Sequence, residues 1–151
     1  LDADDRIEPS LLSAPPLDLV CAQPDASAVV ARHVWLIHPW NLGELPAHLP
    51  VDTVVVGLFL NEFHQAWPWS ERRWRFVGQR IEELAHVRWY GDAASMTAAL
   101  QHATHVGGIH EPHLQPWLAR MADCKAAPAL FRPVEKRCDS FSKWWTQVSR
   151  R

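Results

Sequence analysis

Residues 54–77, VVVGLFLNEFHQAWPWSERRWRFV, constrain the fold of this chain more than any other stretch. Thr53–Leu60 (TVVVGLFL) reads as a strand that is apolar on both faces, the pattern of a strand covered by helices on each side. It runs through a tight His/Trp/Pro/Trp connection into an Arg-rich amphipathic helix opening at Ser70, a good N-cap. Trp74, Val77, Ile81, Leu84 and Ala85 recur there at three- and four-residue spacing and make one apolar stripe.

The same alternation continues along the chain. Val29–Ile37 (VVARHVWLI), His86–Tyr90 (HVRWY), Thr104–Ile109 (THVGGI) and Ala129–Val134 (ALFRPV) read as further strands. Asp92–Ala103 reads as a helix capped by Asp92, with Met96, Ala99 and Leu100 on one side. Pro112 suits a first helical turn that continues through Leu114, Trp117, Leu118 and Met121. Ser140 caps a last helix, with Phe141, Trp144, Trp145 and Val148 expected inward. Strand–helix alternation of this kind predicts an α/β fold: a Rossmann-like, doubly wound, mainly parallel five-stranded sheet with right-handed crossovers and helices on both faces. Residues 1–28 are rich in Pro, Asp, Ser and Ala without sustained periodicity, and the chain begins at Leu1 rather than Met. They are expected to be a linker from a preceding domain, with residues 29–151 forming the α/β domain.

With 151 residues, 48% of them hydrophobic, the chain can bury one respectable core. A net charge of −2 and a pI near 6.5 demand neither nucleic acid nor an anionic membrane as partner. No apolar run approaches the roughly 18–20 residues needed to span a bilayer, and the acidic start LDADDRIEP is the opposite of a signal peptide. Cys21, Cys124 and Cys138 are irregularly spaced, as expected of a reducing compartment without a disulfide framework. A soluble, cytoplasmic domain without a membrane partner is expected.

Several chemistries are disfavoured. There is no G-x-G-x-x-G after the first strand and no G-x-x-x-x-G-K-[ST]; Gly107–Gly108 falls within a strand, not at a strand–helix turn. The nine histidines include His110-Glu111-Pro112-His113, but the pair straddles a proline and matches no metal motif, so no metal site is expected. Ser70, Ser95 and Ser140 sit at helix starts, where capping explains them, and no G-x-S-x-G elbow is present. Cys124 and Cys138 read as small apolar fillers or surface residues. No catalytic residue is assigned. Arg72, Arg73, Arg75 and Arg80 read as a solvated face balanced by Glu71, Glu82 and Glu83.

Ligands of α/β sheets bind where strands end and helices begin. Topology places His38, Trp40, Asn41, Asn61, His64, Trp67, Gly91, Asp92, His110 and Glu111 along that edge, as candidates for ligand binding. Among the nine tryptophans, Trp74, Trp117 and Trp145 fall on helix stripes and bury area. Trp40, Trp67 and Trp69 follow strand ends in Pro-containing loops, where they serve either to stack on a planar ligand or to dock on another domain.

Four phrases, in order, resemble the α/β domain of DNA photolyases and cryptochromes: RRWRFVGQRIEELA, VRWYGDAASMTAAL, ATHVGGIHEPHLQPWLARM and SFSKWWTQV. The resemblance runs from about Val29 to the C-terminus. It implies a part in light-driven repair of pyrimidine dimers in DNA by a deoxyribodipyrimidine photolyase, or in a related blue-light flavoprotein. In that family the α/β domain holds an antenna chromophore (a deazaflavin, a flavin such as FMN, or a folate) and passes excitation to FAD. The FAD, the electron-transfer tryptophans and the lesion pocket belong to a separate helical domain. The implied partners are therefore that FAD-binding domain and, through the whole protein, damaged DNA, and this piece alone is not catalytic. One departure stands out: the family phrase R-x-D-L-R-L-x-D-N is replaced by His38-Pro39-Trp40-Asn41-Leu42-Gly43, so its antenna contacts are not carried over. With the linker in front and an end at SRR, the helical domain is expected N-terminal to Leu1. The alternative is a chromophore-free scaffold or interaction domain of a cryptochrome-like protein.

Overall fold

A computed structural model of the chain describes residues 8–129, 134 and 137–149. In chain order the strands are β1 (Leu11–Leu12), β2 (His33–Ile37), β3 (Val54–Leu60), β4 (Trp69–Ser70), β5 (Val87–Gly91), β6 (His105–Ile109) and β7 (Asp123–Lys125). The helices are α1 (Asn61–Ala66), α2 (Glu71–Leu84), α3 (Ala93–Leu100), α4 (Trp117–Met121) and α5 (Phe141–Val148). Five strands form one sheet in the order β5-β3-β2-β6-β7, with every neighbouring pair parallel. The chain runs outward from β2 through β3 to β5, then returns past β2 to β6 and β7. This is the doubly wound α/β arrangement expected from the sequence, with helices on both faces.

β3 lies inside the sheet and all of its residues are buried. Side chains alternate across a strand, so Gly57 and Phe59 share one face. That face meets α2: a Cβ on Gly57 would overlap Ile81 Cγ2, and the Phe59 ring lies 5.1 Å from Trp74. Met96 and Leu100 of α3 and Leu118 and Met121 of α4 are buried in the same core. Ser70 caps α2 through Arg73 N–H at 3.4 Å and Asp92 caps α3 through Ser95 N–H at 2.6 Å, both as predicted.

Other boundaries move. The first strand starts at His33, because Asp25 caps a short 3-10 turn over Ala26–Ala28 and Ala31 takes a left-handed φ of 55° before the strand begins. The connection after β3 is helical from its first residue, as α1. The helix expected from Pro112 is divided: Glu111 caps a 3-10 turn over Pro112–Leu114, and α4 restarts at Trp117 after a cis Gln115–Pro116 bond. The fifth parallel strand is Asp123–Lys125, held by backbone pairing to Gly107–Ile109. Of the stretch expected to supply it, residues 130–133 lie outside the described residues. Ser140 caps α5 through Lys143 N–H at 3.3 Å, yet none of its residues is buried; Phe141 is 72% and Trp145 45% exposed. Amphipathic spacing decides which residues share a face, and only a facing surface decides whether that face is buried.

The opening segment, read as a linker, lies against the domain from Leu11 onward. β1 pairs antiparallel with β4, and Trp74 Nε1–H donates to the Leu12 carbonyl at 2.9 Å. Ala22 sits beside β5: its N–H donates to the Arg88 carbonyl at 2.8 Å, and Tyr90 N–H donates to its carbonyl at 3.0 Å. Asp18 pairs with Arg75. Leu19 occupies the space over Gly78, where a Cβ would come within 2.5 Å of it. Backbone hydrogen bonds and single anchors hold this strap, which is why it shows no hydrophobic period. Among the described residues, no helix is long and apolar enough to cross a membrane.

Candidate functional site

The C-terminal edge of the sheet divides into two parts. The first lies where the strand order reverses, between β2 and β6. His38 follows β2 directly and is 1% exposed. Its Nε2–H donates to the Ile109 carbonyl at the end of β6, at 2.9 Å, which fixes the neutral tautomer and leaves Nδ1 buried without a partner. Burial pushes this imidazole below its ordinary range, against the pull of that carbonyl and of Glu111. Trp40 turns back over the same place, stacked on His113 at 4.9 Å and 4° and edge-on to Phe63 at 4.9 Å. Asn41 closes the turn by donating its N–H to the His38 carbonyl at 2.8 Å. Glu111 accepts from His113 N–H at 3.2 Å and pairs with the His113 ring. Burial opposes the charge of Glu111, but His113 prevails and holds its carboxyl below the usual range. The exposed His110 is tied by its main chain, donating to the Lys125 carbonyl at 2.7 Å. His38, Trp40, Asn41 and Glu111 are thus brought together, and they close the crevice with the protein's own rings.

The second part is open. A cleft of about 540 Å³ lies between the ends of β3 and β5 and the strap, lined by Asn61, Tyr90, Gly91, Asp92 and Ser95 on one side and by residues 21–24 on the other. The Tyr90 hydroxyl donates to Asn61 Oδ1 at 2.9 Å, and Gln65 Nε2 donates to the same oxygen at 3.1 Å. Burial pushes the Tyr90 phenol above its ordinary value. Gly91 meets a close approach here: a Cβ would lie 2.9 Å from Pro24 Cδ.

The start of α3 borders this cleft, and its amides are already occupied. The Glu62 carboxylate accepts from Ala93 N–H at 2.8 and 3.1 Å, and Asp92 accepts from Ser95 N–H. Hydrogen bonds from Ser95 hold the Asp92 carboxyl below its usual range. A helix N-terminus attracts anions; here two carboxylates of the chain take that role. No Lys, Arg or His is among the residues lining the cleft. The arrangement suits a ligand whose bound end is polar and uncharged, and it disfavours a phosphate.

Two candidates sit elsewhere. His64 falls on the inner side of α1, 1% exposed, with its ring 4.2 Å from Trp74, 4.5 Å from Trp69 and 5.2 Å from Phe63. It belongs to the core rather than the cleft. Trp67 is 67% exposed at the C-terminal end of α1, and Trp69, its neighbour in the sequence, is buried beneath the Arg73 guanidinium at 4.6 Å.

Sequence reasoning passed over Tyr90, Ser95 and the strap residues, and it put Glu62 at the strand–helix edge without a partner. Tyr90 and Ser95 flank the Gly91–Asp92 pair that was singled out, so a wider window around that turn would have found them. Nothing local marks the strap, because its partners are distant along the chain. Among the described residues, no group of three His, Cys, Asp or Glu side chains is placed to hold a metal ion. No protein-family model, no curated protein and no solved structure matches the chain.

Proposed function

We propose that this chain is the α/β, antenna-type domain of a photolyase-related flavoprotein of the cytoplasm, whose whole protein repairs pyrimidine dimers in DNA using FAD held by a separate helical domain. The observation that carries this reading is the open cleft at the C-terminal ends of β3 and β5, in the doubly wound parallel fold that the resemblance implies. Its lining supports a choice among antenna chromophores. Glu62 and Asp92 occupy the α3 amides, so the ring end of a deazaflavin fits the cleft better than the phosphate of FMN or the carboxylates of a folate. The chain's own work is then to seat that ring and to dock on the FAD domain, with no bond-breaking step of its own.

The test is to equilibrate the purified chain with 8-hydroxy-deazaflavin, FMN and methenyl-folate, and to record visible absorbance after gel filtration. Deazaflavin colour that travels with the protein, and is lost on Tyr90→Ala, supports the reading. Protein that emerges colourless from all three removes it.

A second reading, a chromophore-free scaffold of a cryptochrome-like protein, is favoured by the exposed aromatic side chains of α5 and by the closure of the β2–β6 crevice by Trp40 and His113. Colourless protein that still binds the FAD domain supports this scaffold.

A further inference from the structure

The cleft beside Tyr90 holds one carboxamide whose orientation the fold dictates. Asn61 opens α1, directly after β3. Its Oδ1 receives two hydrogen bonds, from the Tyr90 hydroxyl at 2.9 Å and from Gln65 Nε2 at 3.1 Å. The bond from Gln65 follows from helical spacing, since residues four apart are neighbours on one face. Two donors saturate a carboxamide oxygen, so Nδ2 turns the other way with both hydrogens unspent. Among the described residues Nδ2 has no partner, and it does not belong to the buried unpaired atoms; it reaches solvent on a side chain that lines the cleft. Gln65 is exposed and lies outside that lining, so it influences a ligand only through Asn61.

Beside Asn61 the chemistry is reversed. Leu60 and Gly91 are register partners on β3 and β5, so Asn61 and Asp92 leave neighbouring strands at the same level. Such strands run about 4.8 Å apart. Asp92 lines the same cleft, and the hydrogen bonds from Ser95 that favour its ionised form leave it an acceptor only. A ligand at this place meets a donor and, next to it, an acceptor. The Tyr90 ring in the same lining gives a flat ligand a face to lie on.

We propose that Asn61 and Asp92 together read a neutral lactam edge, –CO–NH–, on a flat ring, with Gln65 as the positioning residue that holds Asn61 as a donor. The lactam carbonyl accepts from Asn61 Nδ2, and the lactam N–H donates to the Asp92 carboxylate. A carboxylate or phosphate in the same place meets the charges of Asp92 and Glu62, and an amine leaves the Asn61 donors unmatched. Flavin and deazaflavin rings carry such an edge. The role given to Asn61 rests on the reading above only in taking this cleft as the ligand site.

The experiment titrates the full chain with riboflavin, a neutral ligand with this edge and no phosphate, and follows its fluorescence. Saturable binding is expected. Asn61→Asp keeps the side-chain shape and both accepted hydrogen bonds but puts an acceptor where Nδ2 stood, and is expected to weaken riboflavin by roughly twentyfold. Gln65→Glu removes the donor that holds Asn61 and is expected to weaken it by roughly tenfold, whereas Gln65→Lys, which still donates, retains most of the affinity. Riboflavin methylated on the lactam nitrogen is expected to bind roughly fivefold more weakly. Circular dichroism checks the fold of each variant, and an acid in the first turn of a helix favours it. Riboflavin that is not bound, or that Asn61→Asp binds equally well, overturns the role of Asn61; a Gln65→Glu chain that binds like the natural one overturns that of Gln65. Deazaflavin retained by the natural chain and by Asn61→Asp alike would overturn this assignment and leave the antenna reading standing. Riboflavin bound through Asn61 with deazaflavin rejected would do the reverse.

Discussion

His38 Nε2–H and the main-chain carbonyl of Ile109, 2.9 Å apart, tie the end of β2 to the end of β6 across the point where the strand order reverses. Crevices at such points are the usual ligand sites of doubly wound sheets; here the chain fills its own. Replacing His38 by Leu leaves the carbonyl without its donor and is expected to cost roughly 1–3 kcal/mol. Urea denaturation at neutral pH measures this, and a midpoint equal to that of the natural chain would show the tie to be idle.

His64 makes stability depend on acid. Burial, with Arg73 adding to it, pushes its imidazole down to about 4, whereas an unfolded histidine titrates at about 6.5. Between those values the unfolded chain binds a proton that the folded chain refuses. The stability is complete above about pH 6.5 and falls as the pH drops toward 4, by roughly 2 kcal/mol between pH 7 and pH 5. His38, also pushed down by burial, adds with the same sign. Unfolding curves of His64→Phe at the two pH values should lose most of that difference; a variant as acid-sensitive as the parent contradicts the assignment.

Trp40 and Tyr90 separate stability from binding. Trp40 is engaged on both sides by His113 and Phe63, so Trp40→Ala is expected to cost roughly 1–3 kcal/mol of stability and to leave deazaflavin affinity unchanged. Tyr90→Ala is expected to weaken deazaflavin by about tenfold, the loss of one ring contact. Parallel melting and absorbance titrations distinguish the two. A Trp40→Ala chain that binds poorly but melts normally would move the ligand to the β2–β6 crevice.

Gly57 tests the packing of β3 on α2. A Cβ there overlaps Ile81 Cγ2, a fully buried atom group with no open direction in which to move. Gly57→Ala should destabilise by roughly 1–3 kcal/mol through overpacking, despite the smaller backbone entropy of alanine. Calorimetry reads the change directly, and an unaltered melting temperature would mean that α2 shifts freely.

The sequence was legible where one local pattern sufficed. β3 and α2 could be read because apolar residues at every strand position and an apolar helical stripe behind Ser70 are both local signals. Asn61, Gly91 and Asp92 could be placed on the edge because each directly follows or ends a strand. His64 could not: α1 begins at Asn61, directly after β3, so three further residues turn the imidazole inward onto Trp74. β7 carries one apolar residue between an aspartate and a lysine, and backbone pairing to Gly107–Ile109 holds it instead. The strap docks through main-chain groups, which leave no mark in composition.

That strap also determines where the domain can be cut. Ala22 lies alongside β5, on the side away from β3, and engages the Arg88 carbonyl and the Tyr90 amide. A chain trimmed to residues 29–151 would bare the Arg88 carbonyl and the Tyr90 amide on the outer side of β5, the kind of edge on which a second chain assembles. Self-association of such a truncation, absent from the longer chain, would identify residues 8–28 as the cover that keeps this sheet from growing.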